Sequence, residues 1–305
     1  MITIQYFLVT KYLCIVHSGI NNFMKRRSIR HTWARAEGLS SVKIVFILAS
    51  STNSTIQGKA ELEAELFKDI LMVDYVDHYR NLSYKNILGL KYASQLLEPS
   101  PEFIVKADDD FFYDLYELSH FFHERLVNSK AFMSGNAIAC QLIPKSRVFR
   151  DFTSTKRISK WAVTEESLPS SRLIKKKFYP PYCHGCLYLL TPATAVKLLE
   201  FVSQEPHYIS VDDAWVTGLV AREANISHIA MESVLTFSES QFLKAKKNQN
   251  TVEYNRDYIV GPLSPRTGYI LQSRARWCWI HKCRNNIYRL SRGYTENTTT
   301  ITTGF

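Results

Sequence analysis

The chain has 305 residues, 46% hydrophobic and 22% charged, a globular balance that excludes wholesale disorder and fibrous repeats. It is long enough to bury a sizeable core, and α/β enzymes often fold this many residues as one unit. Lys and Arg number 38 against 28 acids, and the net charge of +10 suits either a solvated basic surface or an anionic partner: nucleic acid, a membrane surface or a phosphorylated substrate.

Residues 2–16 are apolar but carry Gln5, Thr10 and Lys11. They fall short of the ~20 apolar residues of a membrane helix and lack the basic start and small-residue cleavage site of a signal peptide. Their β-branched and aromatic content predicts a buried strand, with no anchor visible in this sequence. Residues 22–33 predict a helix with Ile29 and Trp33 on one face. The run 43–49 predicts a buried parallel strand, 57–68 a charged helix and 69–73 a short strand. A helical period covers 81–97 and stops at Pro99 and Pro101. Strand 102–107 then runs into Asp108, Asp109 and Asp110. This alternation predicts an α/β fold with a mostly parallel central sheet covered by helices.

Beyond residue 140 the signals are weaker. Residues 172–177 predict a basic loop, 179–185 a turn-rich stretch, 186–190 an apolar run and Thr191-Pro192 a helix start. A helix follows over 210–222 and a polar loop over 244–250. No composition break divides the chain, so one domain is expected over 1–290, with a loose threonine-rich tail over 291–305.

Six cysteines stand at 14, 140, 183, 186, 278 and 283. Cys183 and Cys186 form C-x-x-C, but Cys278 and Cys283 are not a matching second pair, so disulfides or buried thiols are expected before zinc. Sequons at Asn53, Asn81, Asn225 and Asn297 are glycosylation acceptors if the chain enters the secretory route.

Three adjacent acids at the end of an apolar strand repel one another unless a cation or basic groups compensate. Ligands collect at the carboxyl ends of strands in open α/β sheets. Backbone alternation sends Asp108 and Asp110 to one side and Asp109 to the other, and two carboxylates suit Mg²⁺ or Mn²⁺. The competing reading is a solvated turn leading to a helix cap at Asp114. A second pair, Asp212-Asp213, is either a helix N-terminus complementing the macrodipole or a general base at a cleft mouth.

Several segments, in order, resemble the β-1,3-galactosyltransferase-like family (glycosyltransferase family 31). Arg26-Arg27-Ser-Ile29-Arg30-His-Thr32-Trp33 is similar to its R-x-x-I-R-x-T-W signature. The stretch from Asp69 through Asp74, Asp77, Tyr79 and Asn81 to Lys85 resembles a second block. Phe103 to Phe111 resembles the strand with the metal motif. Lys160-Trp161 and Tyr179-Pro180 to Gly185 resemble the acceptor-side block, and Asp212-Asp213-Ala214 with Thr217-Gly218 resembles E-D-V-x-x-G. The resemblance runs from Tyr12 to Gly218.

It implies a GT-A-like fold, a UDP-sugar donor, Mn²⁺ (or Mg²⁺), and inverting transfer of a hexose to a glycan, glycoprotein or glycolipid in β-1,3 linkage. It also implies a lumenal domain at the Golgi membrane and no nucleic-acid partner; no nucleic-acid motif is seen. By the same resemblance Asp108 and Asp110 hold the metal and Asp109 faces the donor. Asp213 is the catalytic base, and Asp212 replaces the usual Glu. Arg26, Arg30 and Lys106 are donor-side candidates, although salt bridging serves the arginines and neutralisation of the aspartates serves the lysine equally well. Trp161 and Tyr182 suit sugar stacking or core packing. His228 and His281 are candidates for a third metal ligand. The glycine-rich block departs from the family as Gly185-Cys186-Leu187-Tyr188, whose bulk is expected to narrow the acceptor cleft. A catalytically inactive sugar- or nucleotide-sugar-binding module of the same fold is the alternative.

Overall fold

The structure is a computed structural model that describes residues 11–35, 42–153, 160–204, 208–231, 235–245, 259–263 and 268–280. Of the strand expected over 2–16, the described part forms β1 (Tyr12–His17), and residues 2–10 lie outside the described residues. β1 is followed by α1 (Phe23–His31), β2 (Val42–Ser50), α2 (Ser54–Phe67), β3 (Ile70–Val76), α3 (Leu82–Lys91) and β4 (Phe103–Asp108). Next come β5 (Phe111–Tyr113), α4 (Leu115–Phe121), α5 (Lys130–Met133), β6 (Ala137–Ile143), β7 (Tyr182–Leu190) and α6 (Pro192–Val202). The last elements are α7 (Asp212–Ala214), α8 (Ala221–Glu223), β8 (Ser227–Ala230), α9 (Glu239–Ala245), β9 (Val260–Pro262) and α10 (Gly268–Ile280). The predicted loop 244–250 overlaps the end of α9. Residues 291–305, His281, Cys283 and Asn297 lie outside the described residues.

The main sheet has seven strands in the order β3-β2-β1-β4-β7-β6-β8. All of its described pairings are parallel except those of β7, which runs antiparallel between β4 and β6. The α/β class and mostly parallel sheet are as predicted. Strand alternation explains the two cores. Leu13, Ile15, Val45, Ile47 and Ile104 enter one apolar layer under α3 and α6. Tyr12, Cys14, Val16, Phe46, Phe103 and Val105 enter the other, with Ile29, Trp33 and Phe122. Both faces of β1 are covered, which is why it reads as a continuous apolar run.

Local chemistry sets the helix starts. Asn53 Oδ1 accepts from the amides of Thr55 and Ile56, so α2 begins three residues before its apolar period. Thr191 caps α6, with Pro192 in its first turn. Asp114 caps α4, as the competing reading of the acidic run expected. The stretch 179–185 differs from its turn-rich prediction. From Tyr182 it is strand, because Tyr182 and Cys183 pair with Ile143 and Leu142 of β6. A Cys140–Cys183 disulfide joins the same two strands, and Cys14 and Cys186 are buried free thiols. The C-x-x-C is therefore not a metal pair. Asn53 and Asn225 are exposed.

Candidate active site

The carboxyl ends of β1, β4 and β6 lie on one edge of the sheet, where β7 enters and α7 begins. A cavity of about 850 Å³ opens there, lined among others by His17, Asp108, Asp109, Asp110, His184 and Asp213. Both acidic clusters predicted from sequence thus face one space.

Each aspartate has a different environment. Asp108 ends β4, and the chain turns immediately after it. Its Oδ1 accepts from Lys106 Nζ at 2.5 Å, and the same buried ammonium donates to the Gly185 carbonyl. Burial pushes the Asp108 carboxyl up to about 6; Lys106 opposes the rise, while Asp212 and Asp110 add to it. Burial works against the charge of Lys106, but Asp108 and Asp212 outweigh it and hold the ammonium protonated. Asp109 is buried, in the turn after β4 where strand alternation no longer applies, and it lines the same cavity. Its Oδ2 accepts from Ser18 Oγ and Asn22 Nδ2, both at 2.7 Å, and its Oδ1 from Lys25 Nζ at 2.9 Å. Asp109 therefore fastens the loop after β1 to the cavity wall. Asp110 is exposed in the cavity.

Asp213 sits in the first turn of α7. Its Oδ1 accepts from the Ala214 amide at 2.8 Å and its Oδ2 from the Gly185 amide at 3.1 Å. Asp212 and Asp213 stand in the first turn of α7 without capping it, and both line the cavity. Burial, then the adjacent Asp212, push the Asp213 carboxyl up to about 7. A Cβ on Gly185 would stand 3.1 Å from Asp213 Oδ2, so the glycine lets the strand approach the acid.

The departure at Gly185-Cys186-Leu187-Tyr188 does not narrow the cleft in the expected way. Leu187 packs into the core and Tyr188 is fully buried; of the three bulkier residues only Cys186 lines the cavity, beside Gly185, and it is 1% exposed. Tyr188 Oη donates to Asn86 Oδ1 at 2.6 Å, and Asn86 Nδ2 donates to Asp212 Oδ2 at 3.1 Å. The tyrosine thus orients Asp212 through Asn86.

Arg26 and Arg30 are not among the residues lining the cavity. Arg26 is fully buried and clamps Glu63 with Nε and Nη2, while Nη1 donates to the Gly19 carbonyl at 2.7 Å. Arg30 bridges Glu63 at 2.6 Å and Asp69 at 2.7 Å. The salt-bridging alternative describes both: they brace α1 against α2 and β3, and Arg26 also shapes the loop at Gly19. His228 is turned away, its Nε2 2.6 Å from the Thr217 carbonyl. Trp161 and Tyr182 both line the cavity, Trp161 at its rim with Nε1 donating to Tyr79 Oη at 2.8 Å.

Sequence reasoning gave no role to Ser18, Asn22, Lys25, Asn86 or His184. Ser18 and Asn22 follow β1 directly, and the strand-end rule that singled out Asp108 would have found them. His184 lies inside the quoted acceptor-side block. Burial and Lys106 lower its pKa to about 4, so it is a neutral imidazole.

Residues 24–232 match the sequence profile of a family described as Galactosyltransferase. Beta-1,3-galactosyltransferase bre-2 of Caenorhabditis elegans is 28% identical over 225 residues, 71% of this chain and 58% of its own length. Beta-1,3-galactosyltransferase 1 of Mus musculus is 24% identical over 254 residues, 82% of this chain and 69% of its own. The chain thus spans little more than half the length of the first relative and about two-thirds of the second. Among solved structures, the galactosyltransferase LgtC in complex with donor and acceptor sugar analogs shares 8% identity at a TM-score of 0.39, covering 93% of this chain and 98% of its own. A mannosyltransferase of Pyrobaculum calidifontis in complex with GDP-Man and Mn²⁺ shares 14% at 0.38, covering 93% and 76%.

Proposed function

The chain belongs to the galactosyltransferase family, and from that premise we propose that it is an inverting, metal-dependent glycosyltransferase. It moves a hexose (galactose, N-acetylglucosamine or N-acetylgalactosamine) from a UDP-sugar to a glycan acceptor in β-1,3 linkage. One observation carries this reading: the acids of the β4 end and Asp213 at the start of α7 line a single cavity. Inversion needs an acceptor hydroxyl attacking opposite the leaving diphosphate, and that hydroxyl needs a base.

Asp108 and Asp110 fit a hard divalent cation. They are oxygen donors lining the cavity, and the raised pKa of Asp108, set first by burial and only then by Asp212 and Asp110, marks a carboxylate whose charge a cation would favour. No cluster of three or more His, Cys, Asp and Glu among the described residues forms a closed metal cage. Mg²⁺ and Mn²⁺ sites of this kind keep waters and phosphate oxygens as the remaining ligands. Bound there, the metal would supply Lewis-acid stabilisation of the departing diphosphate. Asp109, through Ser18, Asn22 and Lys25, holds the loop after β1 as a fixed wall for the donor. Asp213, fixed by two backbone amides, accepts the acceptor proton. Lys106 holds Asp108 and the Gly185 carbonyl together, keeping β4 and β7 in register at the reacting centre. Trp161 and Tyr79 offer aromatic faces for a sugar ring at the rim.

A base raised to about 7 gives a pH signature. Asp213 acts when deprotonated, so kcat/KM is expected to rise with pH, levelling above pH ~7, where the carboxylate form dominates. A pH–rate profile at saturating metal checks this; a rate flat from pH 5 to 8 removes the base assignment. The disulfide suits an oxidising compartment, in keeping with a Golgi lumenal site. No described helix is long and apolar enough to cross a membrane.

The deciding experiment is a UDP-sugar panel with Mn²⁺, Mg²⁺ and EDTA. One donor is expected to be hydrolysed or transferred with metal, and EDTA to abolish it. Donor binding without turnover of any sugar favours the non-catalytic module.

A further inference from the structure

The basic surplus is concentrated in one stretch of the sequence. The 144–181 connection between β6 and β7 carries ten Lys and Arg against three Asp and Glu, most of the chain's net charge of +10. This connection also walls the acceptor end of the cavity, through Arg147, Phe149, Lys160 and Trp161. Glu165 pairs with Arg150, and Arg172 is taken by Glu223 from outside the connection. Among the described residues no carboxylate pairs with Arg147 or Lys160, and both are exposed. Lys160 Nζ instead lies 4.6 Å from the centre of the Tyr79 ring and 4.7 Å from that of Trp161. The Tyr79–Trp161 hydrogen bond fixes the two rings beside it.

The outer edge continues the pattern. The backbone ladder beside Arg147, in which Val148 bonds the Lys177 carbonyl and Tyr179 the Ser146 carbonyl, leads into a tight turn closed by Ile174 and Phe178. Lys175 and Lys176 occupy that turn at φ of 50° and 56°, a conformation that Asn or Gly adopts more easily. Three consecutive exposed lysines there extend the positive surface outward from the cavity rim.

We infer that the acceptor is an acidic glycan: one sugar ring lies against Trp161 and Tyr79 while a carboxylate or sulfate on the same or the next residue is held by Arg147 and Lys160. The inference rests on the glycosyl-transfer reading of the cavity and names the substrate class of its acceptor end. A fixed aromatic platform beside two unneutralised cations inside a cleft favours a saccharide over a flat membrane surface. Arg presents a planar fork that matches a carboxylate or sulfate, and the aromatic faces take the apolar side of a pyranose.

The test uses the full chain and two disaccharides that differ only in a terminal glucuronic acid or glucose. Binding is followed by NMR saturation transfer without donor, and UDP-sugar hydrolysis is measured separately. The acidic disaccharide is expected to bind about tenfold more tightly, with the preference shrinking as salt rises. Arg147→Gln and Lys160→Gln are each expected to lower its affinity about tenfold while leaving the neutral disaccharide and donor hydrolysis unchanged. Lys175→Asn combined with Lys176→Gly suits the turn, so a loss of about threefold for the acidic sugar with an unchanged Tm cannot be unfolding. Equal affinity for the two sugars, or variants that weaken both alike, overturns the inference. So does tight binding to phosphatidylserine vesicles with no discrimination between the sugars, which assigns the patch to a membrane. Acid-selective binding without hydrolysis of any UDP-sugar leaves this subsite standing and sinks the transferase reading instead.

Discussion

Asp213→Asn is expected to lower kcat by about 10²–10⁴-fold with little change in donor affinity, because it removes proton acceptance and almost nothing else. The side chain is held by the Ala214 and Gly185 amides. An asparagine keeps one acceptor oxygen for Ala214 and loses the bond from Gly185, a modest cost beside the lost base. Isothermal calorimetry with UDP and metal should give wild-type affinity, and initial rates with saturating acceptor should fall near background. Comparable turnover in the variant would move the base elsewhere. Asp212 would be the next to test, since it reaches the same cavity and is tied to Tyr188 through Asn86.

Glu63→Gln carries the largest expected effect on stability. Glu63 is a shared counter-ion for two arginines: Arg26, fully buried, at 2.5 Å, and Arg30 at 2.6 Å. Removing the charge leaves Arg26 buried without a carboxylate, which costs about 3–5 kcal/mol. Burial would raise the Glu63 pKa, but Arg26 and Arg30 outweigh it and depress the value. A depressed folded-state pKa means the stabilisation is present above the unfolded value near 4.3 and is lost as pH falls through the folded one. Denaturant melts should therefore show a large gap between wild type and variant at pH 7 that narrows toward pH 3. Donor affinity should stay within about twofold. A tenfold loss of donor affinity without a change in midpoint would restore the arginines to the donor site.

These two variants mark how far the sequence carries. The strands that build the site were legible because β1, most of β2 and β4 are buried on both faces and read as apolar runs, broken in β4 only by Lys106 before Asp108. The acids at the end of β4 were legible for a local reason: repulsion among neighbouring carboxylates demands compensation. The helix bearing Asp213 was predicted, but its proximity to Asp108 was not derivable from spacing, since it depends on β7 reversing direction between β4 and β6. Arg26 and Arg30 stand four residues apart on α1, and both reach Glu63. Which acid they meet, Glu63 on α2 and Asp69 just before β3, is a tertiary fact with no local signal. The start of β7 was hidden for the opposite reason. Tyr179 to Gly185 carries strong turn chemistry in Pro180, Pro181 and Gly185, and cross-strand pairing with β6 overrides it. His184 and Lys25 were missed because a lone histidine or lysine has no pattern to recognise.

The Cys140–Cys183 bond has a further consequence for how such a protein can diverge. It joins β6 and β7 at the two ends of the 144–181 connection, which lines one side of the cavity. A loop whose ends are covalently clamped can change length, charge or conformation while the clamp holds its two flanking strands together, because closure entropy grows only slowly with loop length. The acids on β4 and α7 are tied to β7 through Gly185, just beyond the clamped end of that loop. The connection can thus be exchanged like a cassette while the two strands that flank it stay joined.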